Sequence, residues 1–305
     1  MLTTIATLTA MALAQQTDTQ IAVRPGTRLD VSNFAGGIVV KAWAQNTVRI
    51  RAEHSDRDVI EFSLEPSVLS VKASSRRGPT EEIDYVIDAP AWMPLNLSGV
   101  STDIDVDGAQ ADVTAETVNG AIKCRGGNGH VSLKSVQGAV ELMQAKARVD
   151  VSTVNDGIML ADVSGDIGAE TVSGDVRLEG VESANVDISA VSGDVFYQGT
   201  LSDGGHYRFA THNGDVKIGV PEKTNATVSV ATFNGDFDAS FPVSITGTPK
   251  HRFGFTLGTG SARIELETFN GDIKLRRPGA MEDHDHDHDH DHDHHDHDHH
   301  DEDEN

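Results

Sequence analysis

Cysteine is almost missing: Cys124 is the single one in 305 residues. That excludes an intramolecular disulfide and any multi-cysteine zinc or iron–sulfur site. Cations are scarce too, with 24 Lys+Arg against 48 Asp+Glu and a net charge of −24. Such a chain has little to offer nucleic-acid phosphates or an anionic membrane surface, both of which are held by basic patches. No stretch approaches the ~18 consecutive apolar residues of a membrane-crossing helix, so no transmembrane span is expected in the mature chain. Aromatics are only 5% of residues, whereas glycine is plentiful at 29. That balance predicts many turns and a core of small aliphatic side chains.

The acidity is unevenly placed. Residues 281–305 hold 13 of the acids and 10 of the 15 histidines, with no Lys or Arg. With those acids set aside, −24 falls to −11 for the other 280 residues, an ordinary soluble surface. A segment that polar has too little apolar surface to offset the entropy of ordering, so residues 278–305 are expected to form a disordered tail. At the other end, Met1–Ala14 is uncharged and moderately apolar, and Ala12-Leu13-Ala14 is a small-x-small site. This is similar to a secretory signal peptide, although no basic residue precedes the apolar run; the competing reading is a buried N-terminal helix.

Between these ends a nine-residue repeat dominates. Val118-Asn119-Gly120-Ala121-Ile122 returns 18 residues later as Val136-Gln137-Gly138-Ala139-Val140, then as Val154-Asn155-Asp156-Gly157-Ile158 and Val172-Ser173-Gly174-Asp175-Val176. Weaker copies fall midway. Taking the turn residue as the mark, apolar residues stand two, four and seven positions later: Val131, Leu133 and Val136, or Val149, Val151 and Val154. The alternating pair predicts a short strand with one buried face, and the third residue is expected beyond a corner. Nothing recurs at 3.6, and β-branched residues and glycine are too frequent for helix.

A strand-and-turn unit of nine, doubled to 18, predicts an all-β parallel β-solenoid. Each coil would stack on the next at ~4.8 Å to close a narrow core of aliphatic ladders. An antiparallel meander of hairpins is the rival, since Asn-Gly turns serve hairpins as well. The expected organisation is a signal peptide (1–14), an irregular β-rich N-terminal cap (15–97), the solenoid (98–277) and the tail (278–305). Within the cap, strands are predicted at Arg28–Val31, Ile38–Ala42, Val48–Ala52, Ile60–Leu64, Leu69–Ala73 and Asp84–Ile87. Such a cap would keep the first coil from templating aggregation. Six phenylalanines, at 233, 237, 241, 253, 255 and 269, are expected to thicken and close the C-terminal core.

The recurring Thr-apolar-Asn/Ser-Gly-Asp-apolar signature is most complete in Thr171-Val172-Ser173-Gly174-Asp175-Val176, Thr211-His212-Asn213-Gly214-Asp215-Val216 and Thr268-Phe269-Asn270-Gly271-Asp272-Ile273. With Pro25-Gly26-Thr27-Arg28-Leu29 and Ala35-Gly36-Gly37-Ile38 near the start, residues 20–276 resemble the bacterial putative adhesin family, a β-strand-repeat domain of unknown function in exported envelope proteins. The resemblance implies a fold and a surface role, not a reaction.

Candidate chemistry is sparse. Asp175, Asp194, Asp215, Asp236 and Asp272 are expected in one column of turns, each carboxylate capping its own turn. The sharper alternatives are a calcium ladder, which needs several oxygens per ion, and a carboxylate pair for polysaccharide cleavage, which needs two acids in unlike surroundings. No Ser/His/Asp set, phosphate-binding glycine loop or zincin spacing occurs, so no enzyme activity is expected. Cys124 takes the place of Leu142 and Leu178 in the repeat and reads as a buried apolar residue. Explicit ligand chemistry is confined to the tail: His284, His286, His288, His290, His292 and His294 alternate with Asp, followed by His295, His297, His299 and His300. Neutral imidazoles with adjacent carboxylates suit zinc, nickel or copper.

The function these features favour is an exported, periplasmic or cell-surface, non-enzymatic solenoid. It would serve as an envelope adhesion or scaffold module whose partner is an envelope protein or polysaccharide, with no cofactor required. An extracytoplasmic metal-buffering protein is the alternative, and a carbohydrate-active β-helix enzyme a weaker one.

Overall fold

In a computed structural model, residues 15–78, 80–245 and 251–278 are described. They hold no helix. The N-terminal part contributes β1 (Gln15–Ala22), β2 (Arg28–Trp43), β3 (Thr47–His54), β4 (Asp58–Leu64), β5 (Val68–Ser75) and β6 (Asp84–Pro90). Each of the six short strands expected there lies inside one of these. The long β7 (Leu95–Ala109) follows. Then two kinds of strand alternate: β8 (Val113–Asn119), β9 (Ile122–Gly126), β10 (Asn128–Gln137), β11 (Val140–Met143), β12 (Lys146–Thr153), β13 (Ile158–Ala161), β14 (Ile167–Ser173), β15 (Val176–Val181), β16 (Asn185–Ser192), β17 (Val195–Gly199), β18 (His206–Asn213) and β19 (Val216–Gly219). The C-terminal part adds β20 (Ala226–Asn234), β21 (Phe237–Ala239), β22 (Arg252–Leu257), β23 (Ala262–Asn270) and β24 (Ile273–Arg276).

Pairing between successive coils is parallel. β8, β10, β12, β14, β16 and β18 make one face, and β9, β11, β13, β15, β17 and β19 the other. Val131 pairs with Val149 and Val140 with Ile158, so the 18-residue repeat is the coil. The fold is therefore the expected all-β parallel solenoid, not the antiparallel meander.

The core is built of ladders one residue wide. Val113, Val131, Val149, Ile167 and Val186 stand in register on the first face, all buried. Ile122, Val140, Ile158, Val176 and Val195 do so on the second. Cys124 sits in the ladder of Leu142, Leu160 and Leu178 and is buried as expected; burial pushes its thiol up to about 12. Toward the C-terminal end the ladders admit Tyr197, Tyr207 and Phe209, with ring centroids 5.0–6.2 Å apart. The Tyr197 hydroxyl donates to Thr200 O and that of Tyr207 to Ser183 O, each at 2.7 Å, which satisfies the polar tips of buried rings.

Stacking order departs from chain order at both ends. The coil β23/β24 sits between β18/β19 and β20/β21, pairing in parallel with both neighbours. The expectation that each coil stacks on the one before it thus fails for the last two. At the other end β2 is a full rung, not irregular cap: its two halves pair in parallel with β7 on one side and with β5 and β6 on the other. Only the outermost layers turn antiparallel, with β4 on β5, β3 on β6, β1 on β3, and β22 on β20. Counting β5/β6, the stack has eleven rungs, roughly 50 Å at strand spacing.

Candidate interaction surface

The two halves of a coil differ at the residue seven after the mark. On the second face this residue is buried beyond the corner, as at Ala145, Val163 and Val181. On the first face it is exposed: Val136, Val154, Val191 and Phe269 point outward at the end of their strands. The expectation that this residue lies beyond a corner is corrected there, since Val136, Val191 and Phe269 still belong to their strands. Alternation explains it, because Leu133 and Ser135 point in, which leaves Val136 on the outer side. Phe233 and Phe269 likewise do not close the core, being 53% and 41% exposed, while Phe255 is buried and Phe237, Phe241 and Phe253 pack against the core.

Beside this position the chain turns the corner, and the signature residues do separate jobs there. The buried hydroxyl donates to a corner carbonyl one rung away: Thr117 Oγ1 to Thr102 O at 2.9 Å, Ser135 Oγ to Gly120 O at 2.9 Å, Thr211 Oγ1 to Gly193 O at 2.9 Å, Thr268 Oγ1 to Gly214 O at 2.9 Å. The asparagines form an amide ladder, Asn234 Nδ2 to Asn270 Oδ1 at 2.8 Å and Asn270 Nδ2 to Asn213 Oδ1 at 2.7 Å. The glycine is required because rungs touch there. A Cβ on Gly193, at φ +150°, would come closer than 3.0 Å to the carbonyl of Gly174 below.

The aspartates do form one column, in the order 175, 194, 215, 272, 236. The first four cap the next rung's turn instead of their own. Asp194 N–H donates to Asp175 Oδ1, Asp215 N–H to Asp194 Oδ1, Asp272 N–H to Asp215 Oδ1 and Asp236 N–H to Asp272 Oδ1, all at 2.8–2.9 Å. A column of like charges is thereby held by amide donors aimed at Asp175, Asp194, Asp215 and Asp272. Lys274 adds a cation, its Nζ 2.6 Å from Asp215 Oδ2 and 3.4 Å from Asp272 Oδ2. The Asp236 N–H and then Lys274 hold the Asp272 carboxyl below the usual range; the two carboxylates raise Lys274. Carboxylates used this way are repeated structural caps, unlike the differentiated pair that sugar hydrolysis uses.

A concavity of about 620 Å³ lies on the outer side of the first face. Gly168 leaves a gap in a row that reads Asp150, Gly168, Asp187, Arg208, Glu265 across five rungs. Its charges answer one another locally: Arg148 with Asp150 at 3.5 Å, Arg208 with Asp187 at 3.2 Å, Arg263 with Glu265 at 2.6 Å. The groove is open, polar and of mixed charge, a surface suited to contact and poorly suited to excluding water from a reaction.

All ten tail histidines, His284 to His300, lie outside the described residues, as do Met1–Ala14. Among the described residues no group of three or more His, Cys, Asp or Glu is placed to hold a metal ion, and no helix is long and apolar enough to cross a membrane.

A parallel solenoid with a recurrent glycine corner, capped by carboxylates on several coils, is the class of protein these features define. The chain belongs to the Toastrack DUF4097 family, whose model matches residues 13–276. No curated protein matches it. Among solved structures, a putative adhesin from Bacteroides fragilis is similar at 11% identity and a TM-score of 0.43, over 86% of this chain and 97% of that one. A putative lipid binding protein from Parabacteroides distasonis aligns at 10% identity and 0.43, over 85% and 96%. A putative cell adhesion protein from Clostridium sporogenes aligns at 10% identity and 0.23, over 87% and 99%. Likenesses this loose carry no argument about activity.

Proposed function

We propose that the chain is an exported, non-enzymatic solenoid that acts as an adhesion or scaffold module of the cell envelope, with an envelope protein or polysaccharide as its partner. The observation that carries this reading is the use of the repeated acids. Asp175, Asp194, Asp215 and Asp272 are spent on holding the next turn, and the groove along Asp150, Asp187, Arg208 and Glu265 is open and internally charge-paired. What remains is a long, regular surface with repeating polar rows, the geometry of a binding rod. Fractionation of cells expressing the full chain should place it in the envelope or the medium. Purified chain should bind intact cells or an envelope polysaccharide without turning it over. A cytosolic chain, or polysaccharide cleavage abolished by Asp194→Asn, would overturn the proposal.

The tail adds a second activity to the same reading: His284 to His300 gather zinc, nickel or copper, and the rod displays them. Metal buffering as the main role is favoured by the ten histidines packed into the last 25 residues. Calorimetry with zinc should show heat that disappears when residues 281–305 are deleted; unchanged binding would refute the tail site. Imidazoles of ordinary pKa near 6.5 must be neutral to bind, so release is expected as pH falls from about 7.5 to 5.5.

A further inference from the structure

Four positions of the Thr-apolar-Asn/Ser-Gly-Asp signature are explained by the corner: a hydroxyl bond, an amide ladder, a rung contact and a carboxylate cap. The apolar position is not. Its side chain points outward, makes no part of the core, and is nevertheless apolar on nearly every rung. Phe34, Val100, Val118, Val136, Val154, Val172, Val191, His212, Phe269 and Phe233 follow one another in register from β2 to β20. The nine apolar ones are 37–53% exposed. Strand propensity alone does not produce this stripe. The adjacent outward column, on the same strands and equally exposed to selection for β-formers, reads Ser32, Ser98, Glu116, Lys134, Ser152, Glu170, Ser189, Ala210, Glu267 and Ala231.

We infer that this stripe is the contact by which two copies of the chain pair side by side, antiparallel. The exposed area of its nine apolar residues comes to roughly 700 Å² per copy, beyond what a monomer ordinarily leaves bare. Two such stripes face to face would bury about 1,400 Å², within the range of stable dimers. The partner must offer an apolar knob at every rung spacing along a straight line ten rungs long, and a second copy offers that repeat. A sugar polymer fits worse. The ring faces at the aromatic end are already spent on one another, with His212 on Phe269 at 4.9 Å, Phe269 on Phe233 at 4.9 Å and Phe233 on His251 at 4.7 Å, interplanar angles 3–20°.

Charge selects the antiparallel sense. In full overlap about a two-fold axis lying across the rods, each rung meets its mirror in the count. Glu116 then faces Ala210, Lys134 faces Ser189, Glu170 faces Ser152 and Glu267 faces Ser98, so no like charges meet. The same axis places the two β24 ends, each followed in sequence by residues 281–305 with 13 acids and no Lys or Arg, at opposite ends of the pair. A parallel pair would place them side by side.

Sedimentation equilibrium of the full chain should give a dimer at micromolar concentration. Val154→Glu with Val172→Glu should give a monomer with an unchanged β-sheet circular dichroism spectrum, since neither side chain is in the core. Disulfide trapping provides the second measurement, with buried Cys124 left in place. A mixture of Val136→Cys and Val191→Cys chains should cross-link to each other, and Val136→Cys alone should not. A wild-type chain that stays monomeric at 100 µM on the order of concentration scales for weak pairs overturns the proposal. So does cross-linking of Val136→Cys with itself, or a monomer that floats with phosphatidylcholine vesicles through these valines.

Discussion

Gly193 offers the most direct test of how the rungs are held apart. An alanine there must place its Cβ against the carbonyl carbon and oxygen of Gly174, which are backbone atoms with no rotamer to turn away. Relief requires the rung to lift. Lifting strains the bonds that cross that corner, among them Asp194 N–H to Asp175 Oδ1 at 2.8 Å and Val176 N–H to Asp194 O at 2.9 Å. Two hydrogen bonds weakened at about 1 kcal/mol each, with 1–3 kcal/mol of backbone strain, give a cost of about 3–5 kcal/mol. Gly204→Ala is the matched control. Gly204 also has a positive φ, +76°, but nothing lies within 4 Å of its would-be Cβ. Its cost should be only the left-handed penalty, about 1–2 kcal/mol, partly offset by a stiffer unfolded chain. At ~2–4 °C per kcal/mol for a chain of this size, thermal melts followed by far-ultraviolet circular dichroism should fall by about 10 °C for Gly193→Ala and by no more than about 4 °C for Gly204→Ala. Equal shifts in the two variants would show that conformational freedom, and not rung contact, is why glycine recurs at the corner.

Other consequences can be checked as directly. A chain ended at Ile245 lacks β23 and β24, the parallel neighbours of β20 and β21; hydrogen exchange should show 226–239 unprotected while β8–β17 keep their protection, and a protected 226–239 would contradict the stacking order. Cys124, with its thiol raised to about 12 by burial, should ignore a thiol reagent at pH 8 in the native chain and react fully in guanidinium; rapid native labelling would mean an open core. The Asp272 carboxyl is held below its ordinary 3.8, chiefly by the Asp236 N–H. A depressed carboxylate stabilises the fold above its unfolded value, and that contribution is lost as pH falls through the folded one. Asp272→Asn should therefore flatten the decline of melting temperature below about pH 4, and parallel curves for variant and parent would count against the cap.

Much of the fold could be read from residues alone because a parallel coil repeats its environment. Val131, Val149 and Ile167 meet the same neighbours, so the same residue type recurs at a fixed interval. Cys124 could be placed in its ladder from the leucines 18 and 54 residues away. The register of Val136, Val154, Val191 and Phe269 was equally legible, but their side of the sheet was not. An apolar residue at a regular interval signals a shared environment without saying whether it is inside. The reversals of stacking order at β2 and β23/β24 left no mark either, since a rung carries the same pattern wherever it is inserted. The aspartate column was visible from the Gly-Asp turns. That its acceptors serve the adjoining coil was not, because a bond of that kind depends on the rise between coils and not on spacing along the chain.

The placement of β23/β24 has a bearing on how this protein comes into being. A molecule delivered amino-terminus first could lay down its coils as they arrive through β19, but the next stretch, 226–239, has no parallel neighbour to settle on until β23 and β24 are present. Completion is thus withheld until β24 has been delivered, and β23/β24 then wedge themselves into the pile and lock the coil made before them. Newly made copies cut short anywhere in that stretch would carry a loose end open to proteases, so the design sorts finished chains from unfinished ones.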